Sequence, residues 1–150
     1  MNALNATLAG IAFVLAGAGS AQAETAVGLV GDNWLVTIEG SKPAITKTMQ
    51  VTGVDRLLGI DVRPANGWLY GVAADGAVVT IDLASGKATQ VAKLDKTIAA
   101  GTGAIVDFNP KADKLRFMST DGTNLRADVD TGKVATDGTL NFRSEERRVG

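Results

Sequence analysis

The stretch Leu57–Val91, LLGIDVRPANGWLYGVAADGAVVTIDLASGKATQV, decides the fold. Four short apolar runs, Leu57–Val62, Trp68–Ala73, Ala77–Asp82 and Ala88–Lys93, are separated by three turn clusters. These are Arg63-Pro64-Ala65-Asn66-Gly67, Ala74-Asp75-Gly76 and Leu83-Ala84-Ser85-Gly86-Lys87. β-Branched and aromatic residues punctuated by Gly, Pro, Asn and Asp read as strands joined by tight turns. The stretch is therefore expected to form one antiparallel four-stranded meander.

Moving the chain by 46 positions lays this unit on a second copy without a gap. Asp61 falls on Asp107, Pro64 on Pro110, Leu69 on Leu115, Asp75-Gly76 on Asp121-Gly122, Asp82 on Asp128, and Gly86-Lys87 on Gly132-Lys133. A partial third copy precedes them at a shift of 43, with Gly28, Asp32 and Val36-Thr37-Ile38 on Gly71, Asp75 and Val79-Thr80-Ile81. What recurs is turn chemistry: Asp-Gly is expected to supply the positive-φ residues of a hairpin, and Pro pre-sets φ after the first strand. A four-stranded unit of roughly 40–50 residues has the spacing of a β-propeller blade. Such a sheet cannot bury both faces alone and needs neighbours stacked against it. The predicted fold is all-β, a fragment of a β-propeller-like array of four-stranded antiparallel meanders, about two full blades plus a partial one. That number cannot close a ring, which takes roughly four to eight blades.

Both ends follow a different grammar. Leu8–Ala18 is an uncharged apolar run followed by Ala21-Gln22-Ala23, a small-x-small site. Residues 1–23 therefore read as a secretory signal peptide cut before Glu24, although no Lys or Arg precedes the run. The run is shorter than the roughly 20 residues that span a bilayer, so no membrane span is expected after signal removal. The expected location is exported, periplasmic or extracellular. Residues 143–150, RSEERRVG, interrupt the repeat with five charges in eight positions. They are what AGA TCG GAA GAG CGT CGT GTA GGG encodes, which is similar to a sequencing adapter, and are expected to be a non-native read-through tail. The domain is then 24–142, incomplete at its C-terminus.

Composition removes several function classes. With no Cys and no His, the chain has no disulfide, Cys nucleophile, Ser-His-Asp triad or His-ligated metal. A net charge of −1, with scattered Lys and Arg, gives no footprint for nucleic acid. Trp34, Trp68 and Tyr70 lie in strands and are expected to pack between sheets. The linker Leu94–Gly103, with Ala99-Ala100-Gly101-Thr102-Gly103, is expected to be the most flexible loop.

The candidate ligand-binding residues are Asp61, Arg63, Asp107 and Asn109. Asp61 and Asp107 occupy equivalent places on the first strand of each blade, which would set two carboxylates around one axis, with Arg63 and Asn109 two residues on. Acidic and Asn groups in a propeller channel can hold a divalent cation that polarises a substrate oxygen. The competing expectation, which the repetition favours, is that each Asp caps its own Pro turn. Asp128-Val129-Asp130-Thr131-Gly132 starts like a calcium loop, but Gly132 and Thr139 stand where further ligands are needed, so a plain turn is favoured. No cofactor is expected, calcium being the one ion left open.

Several ordered motifs carry a resemblance: Gly28-Leu29-Val30-Gly31-Asp32-Asn33, Leu58-Gly59-Ile60-Asp61-Val62-Arg63-Pro64, Gly67-x-Leu69-Tyr70-Gly71, Val106-Asp107-Phe108-Asn109-Pro110, Asp113-x-Leu115-Arg116 and Asn124-Leu125-Arg126. Together they resemble the bacterial exported domain of unknown function 4394 family, over nearly all of 27–140. The resemblance implies export and a propeller-like fold, and transfers no catalytic residue. The leading functional expectation is an exported, non-enzymatic module that binds an unknown protein or small-molecule ligand. The alternative is a metal-assisted hydrolase or lactonase with its site in the propeller channel.

Overall fold

The computed structural model describes residues 8–14, 25–39, 44–99 and 103–138. They form twelve strands: β1 (Leu8–Val14), β2 (Thr25–Val30), β3 (Trp34–Glu39), β4 (Ala44–Gln50), β5 (Leu57–Val62), β6 (Leu69–Ala73), β7 (Ala77–Ile81), β8 (Ala88–Lys93), β9 (Ala104–Asn109), β10 (Lys114–Ser119), β11 (Asn124–Ala127) and β12 (Val134–Thr136). Each consecutive group of four is one antiparallel meander, giving blades 1, 2 and 3. The first strands β1, β5 and β9 lie side by side along the inner edge.

Blade 1 has a fourth strand where the sequence promised a partial sheet. Leu8–Val14, the core of the apolar run read as a leader, pairs with β2 from Leu8↔Val30 to Val14↔Thr25. An uncharged run of strand-compatible residues satisfies the backbone groups that the β2 edge would otherwise expose. The expected strand at Thr139–Phe142 and the tail 143–150 lie outside the described residues.

Blade 2 is sandwiched. Every residue of β6 and β7 is buried, so both faces of its central hairpin are covered. One face (Leu69, Val79, Ile81) packs on Val27, Leu29, Leu35 and Val51 of the blade 1 side. The other (Tyr70, Val72, Val78) packs on Phe108, Leu115, Phe117, Leu125 and Ala127 of blade 3. The two-residue alternation of a strand sends successive side chains to these opposite interfaces. The linker expected to be flexible contributes to the second core, since Leu94 and Ile98 are 5% and 8% exposed.

The repeated turns also join the blades. Asp75 Oδ1 accepts the Ala77 N–H at 3.0 Å, and Asp121 Oδ1 accepts the Thr123 N–H at 2.9 Å, 46 positions on. Of each Asp-Gly pair only the glycine has positive φ, so the aspartate acts through its side chain instead of its backbone. In the next turn Gly86 and Gly132 have φ of +76° and +75°, and a Cβ there would lie 2.5 Å from Gln50 O and 2.0 Å from Lys93 O of the preceding blade. That close approach permits backbone bonds between blades: Thr52 N–H to Gly86 O at 2.9 Å, and Asp95 N–H to Gly132 O at 3.1 Å. Thr52 O then accepts the Ala88 N–H at 2.9 Å, whereas Asp95 uses its side chain to accept the Val134 N–H at 3.0 Å.

Gly132→Ala and Gly86→Ala should therefore cost the positive-φ penalty of about 1 kcal/mol plus about 1–3 kcal/mol of overpacking between blades. Gly31→Ala, at φ +62° with nothing within 4 Å, should cost only the first term. Urea unfolding of the three variants measures the difference, and equal losses would show that the glycines serve the turn alone.

Candidate functional site

The turns β5–β6, β7–β8, β9–β10 and β11–β12 leave the strands at the same end of the array, and the four candidate residues lie toward that end. Asp61 and Asp107 sit on the neighbouring inner strands β5 and β9. Asp61 does not cap its own Pro turn. Its Oδ2 accepts the Phe108 N–H of the next blade at 2.6 Å. Burial raises its pKa above the ordinary carboxylate value, opposed by the bonds from the Phe108 and Val62 amides and reinforced by the charge of Asp107. The structure thus gives Asp61 an inter-blade duty, with Asp107 on the neighbouring strand adding a minor repulsion.

In blade 3 capping falls to the residue two positions after Asp107. Asn109 Oδ1 accepts the Lys111 and Ala112 N–H groups at 3.0 and 3.1 Å. In blade 2 that position is Arg63, 9% exposed, whose side chain crosses to blade 3. Its Nε and Nη2 donate to Asp113 at 2.9 and 2.7 Å, and Nη1 and Nη2 donate to Asp130, both at 2.8 Å. Nη1 also donates to Tyr70 Oη at 3.3 Å, and the guanidinium lies 5.7 Å from the centroid of that ring. Tyr70 in turn meets Phe108 edge-on, with ring centroids 5.4 Å apart. Two bidentate carboxylates raise the Arg63 pKa, Asp113 contributing most, and Arg63 in return holds both acids below their ordinary value.

Asp113 shows what this clamp costs locally. Its φ of +49° makes it the one positive-φ residue other than glycine among those described. The equivalent position in blade 2 is Gly67, at φ +71°. The backbone is alike in both: Gly67 N–H donates to Arg63 O at 2.8 Å, and Asp113 N–H to Asn109 O at 2.9 Å. In blade 3 the left-handed residue is an aspartate, and its carboxylate bonds Arg63.

The calcium-like run is tied up in similar contacts. Lys114 Nζ donates to Asp128 Oδ2 at 2.5 Å and pushes the Asp128 pKa down to about 2, while Asp128 Oδ1 accepts the Asp130 and Thr131 N–H groups. Among the described residues no three carboxylates converge as a metal site. Sequence reasoning missed Asp113, Asp130 and Tyr70 as partners of Arg63, and it misplaced the tryptophans. Tyr70 packs as expected, but Trp34 and Trp68 are 47% and 60% exposed. Trp68 stands beside the turn that Asn66 ties down, with Asn66 Oδ1 accepting the Trp68 N–H at 3.1 Å and Asn66 Nδ2 donating to Tyr70 Oη at 3.1 Å. At the opposite end a groove of about 280 Å³, between the connection that precedes β5 and blade 2, is lined by Val54, Asp55, Arg56, Asp75, Ala77 and Gln90.

A family model described as Domain of unknown function (DUF4394) matches residues 34–150. No curated protein matches the chain. Among solved structures, the computationally designed Ika4 protein aligns with a TM-score of 0.51 at 14% identity, over 92% of this chain and 76% of that one. YCF48 bound to D1 peptide aligns at 0.55 and 13% identity, over 87% of this chain and 39% of that one. The Dos1 propeller aligns at 0.50 and 11% identity, over 89% of this chain and 34% of that one. The chain thus spans little more than a third of YCF48 and of the Dos1 propeller, and the likeness establishes a β-propeller-like fold.

Arg63→Met should lower stability by about 1.5–3 kcal/mol, the worth of charge-assisted bonds at a buried donor. On that background Asp113→Gly should cost nothing further and even recover a little by relieving the positive φ. A double-mutant cycle by chemical unfolding tests this, and additive losses would mean the two residues act separately. Asp61→Asn should have the opposite sign. Because the folded-state pKa of Asp61 is raised, its ionised form weakens the fold as pH climbs through that value. Asn keeps an acceptor for the Phe108 N–H, so the variant should melt above wild type at pH 7. The gain should vanish below the ordinary carboxylate range, where wild-type Asp61 is protonated in both states. A lower melting temperature at pH 7 would show that the charge itself stabilises.

Proposed function

The chain belongs to the Domain of unknown function (DUF4394) family, and on that premise we propose that it is an exported, non-enzymatic β-propeller module that binds a peptide segment of a protein partner. Fold and family carry no activity by themselves, so the reading rests on the site. The observation that carries it is Trp68, 60% exposed on the loop end beside a rigid polar platform. Asn66, Tyr70, Arg63, Asp113 and Asp130 are bonded to one another next to it in the chain, and Asn66 Oδ1 and the Arg63 N–H tie down the Trp68 backbone. An exposed aromatic with a satisfied polar surround supplies contact area at low entropic cost, as binding hot spots do. A propeller that resembles this chain, YCF48, holds a peptide, which supports the choice of ligand class. Export is supported by the leader pattern of residues 1–23.

The test uses Trp68 as its own reporter. In a Trp34→Phe background Trp68 is the one tryptophan left, and an array of short peptides is screened by its fluorescence. Bound peptides should shift its emission and lose at least tenfold in affinity in Trp68→Ala. Peptides that bind equally well to Trp68→Ala would move the site elsewhere. The hydrolase reading retains one observation, the placement of Asp61 and Asp107 on the neighbouring inner strands β5 and β9. Calcium-dependent ester or lactone hydrolysis abolished by Asp61→Asn would replace the binding module with an enzyme. For export, N-terminal sequencing of material secreted by the host should find Glu24 first, and a chain still beginning at Met1 would remove that part of the proposal.

A further inference from the structure

The linkers between blades repeat as the blades do, but the two of them treat the same space differently. The connection 51–56 leads from blade 1 to blade 2, and the longer connection 94–103 leads from blade 2 to blade 3. Both leave their blades in the same way. Val51 N–H donates to Asn33 O at 2.7 Å, and 43 positions on Leu94 N–H donates to Gly76 O at 2.9 Å. Thr52 and Asp95 then bond the glycine turn of the following blade. One residue further the linkers part. Lys96, in the place of Gly53, crosses to blade 3, where its Nζ donates to Thr136 Oγ1 at 2.7 Å. Thr136 pairs with Leu125 as Gln90 pairs with Val79, so Thr136 and Gln90 are equivalent. Ile98, 43 positions after Asp55, turns into the core at 8% exposure. The second interface is thus spanned at this point by the chain's own ammonium group.

At the first interface the same span is open. Gly53 has no side chain to send to Gln90, and the groove of about 280 Å³ lies between them. Gly53 itself resists a larger residue, with φ +89° and a Cβ position 3.1 Å from Ala88 O. The apolar part of the groove is Ala73, Ala77 and Val79, all buried. Among the described residues the side chains of Asp55 and Gln90, which line it too, have neither a hydrogen bond nor an ion pair. The other charges at the rim are matched: Arg56 lies 3.4 Å from Asp32, and Lys93 lies 2.6 Å from Asp75. Asp55 is therefore the one charge here without a counter-ion. Every wall of the groove lies within residues 53–90, away from the outer faces of blades 1 and 3.

We infer that this groove binds a primary ammonium on a short unbranched alkyl stem, the group that Lys96 supplies to the second interface. The Asp55 carboxylate and the Gln90 side-chain carbonyl are the acceptors for its N–H groups. The stem lies along Ala73, Ala77 and Val79, as the stems of long amine side chains lie on apolar surface. An anionic ligand would meet Asp55 while both nearby cations are already paired, so the charge pattern selects a cation. The inference stands apart from peptide binding at Trp68, which lies at the opposite end of blade 2.

The full 150-residue chain is titrated at pH 7 with n-butylamine, which has the stem of a lysine side chain, and with n-butanol as the uncharged control. Calorimetry measures affinity, amide NMR locates the site, and circular dichroism confirms the fold of each variant. Butylamine should saturate a single site, with shifts centred on residues 53–56, 73–77 and 90, and butanol should bind far more weakly. Asp55→Asn should weaken butylamine by about tenfold, the worth of a hydrogen bond to a charged group, and Gln90→Leu by about threefold. Wild type should itself lose affinity as salt is raised, because the contact is part-exposed and ionic. A third arm uses Nα-acetyl-lysine methylamide. Binding as tight as that of butylamine assigns the site to a lysine of another protein, and weaker binding assigns it to a free alkylamine. Butylamine that binds no better than butanol would overturn the inference. So would an affinity indifferent to Asp55→Asn and to salt, or shifts centred away from the groove.

Discussion

A sheet that is apolar on both faces cannot persist alone in water, and the β6–β7 hairpin is buried on both. Fully burying one large aliphatic side chain is worth about 1.5–3 kcal/mol, so uncovering either side of blade 2 would expose more than the marginal stability of a small domain can bear. Everything else follows from keeping blades 1 and 3 in place against it. The repeated Gly86 and Gly132 turns let the backbones approach closely enough to bond. Without that approach the side-chain layers would remain, but the blades would lack a fixed register.

Apolar layers are indifferent to small slides, whereas Arg63 is not. Its guanidinium must meet Asp113 and Asp130, which lie on separate turns of blade 3, so it fixes the two blades in two directions at once. Arg63, together with Lys114 beside Asp128, also shapes the pH response. Asp113, Asp130 and Asp128 all have lowered pKa values and stabilise the fold above the ordinary carboxylate range, a contribution lost as acid carries each through its folded value. Asp61 runs the other way and softens that loss slightly.

The architecture was legible wherever the backbone makes local demands. Turns announce themselves because Gly must stand at positive φ and Asp must accept an N–H two residues ahead, and both needs act within four or five positions. The strand positions followed to within a residue or two. The site was not legible for the converse reason. Arg63 finds its acids 50 and 67 residues away, and Asp61 finds the Phe108 amide 47 residues away, so nothing near either residue signals the partner. The first strand was not legible because a short apolar run without charges suits a leader and an inner strand equally well.

The same division shows where the repeats diverged. Positions that serve the backbone match between blades 2 and 3: Pro64 and Pro110, Asp75 and Asp121, Gly86 and Gly132. Positions on the leading face do not, for Tyr70 becomes Arg116, Val78 becomes Asn124 and Thr80 becomes Arg126. In blade 2 this face is covered by another sheet of the same chain, so it can be apolar and closely packed. In blade 3 the matching strands carry Arg116 and Arg126, which share Asp137 as counter-ion, and the buried Asn124. Differences between copies of one repeat therefore mark what each blade must meet beyond itself, and the identities mark only what it takes to be a blade.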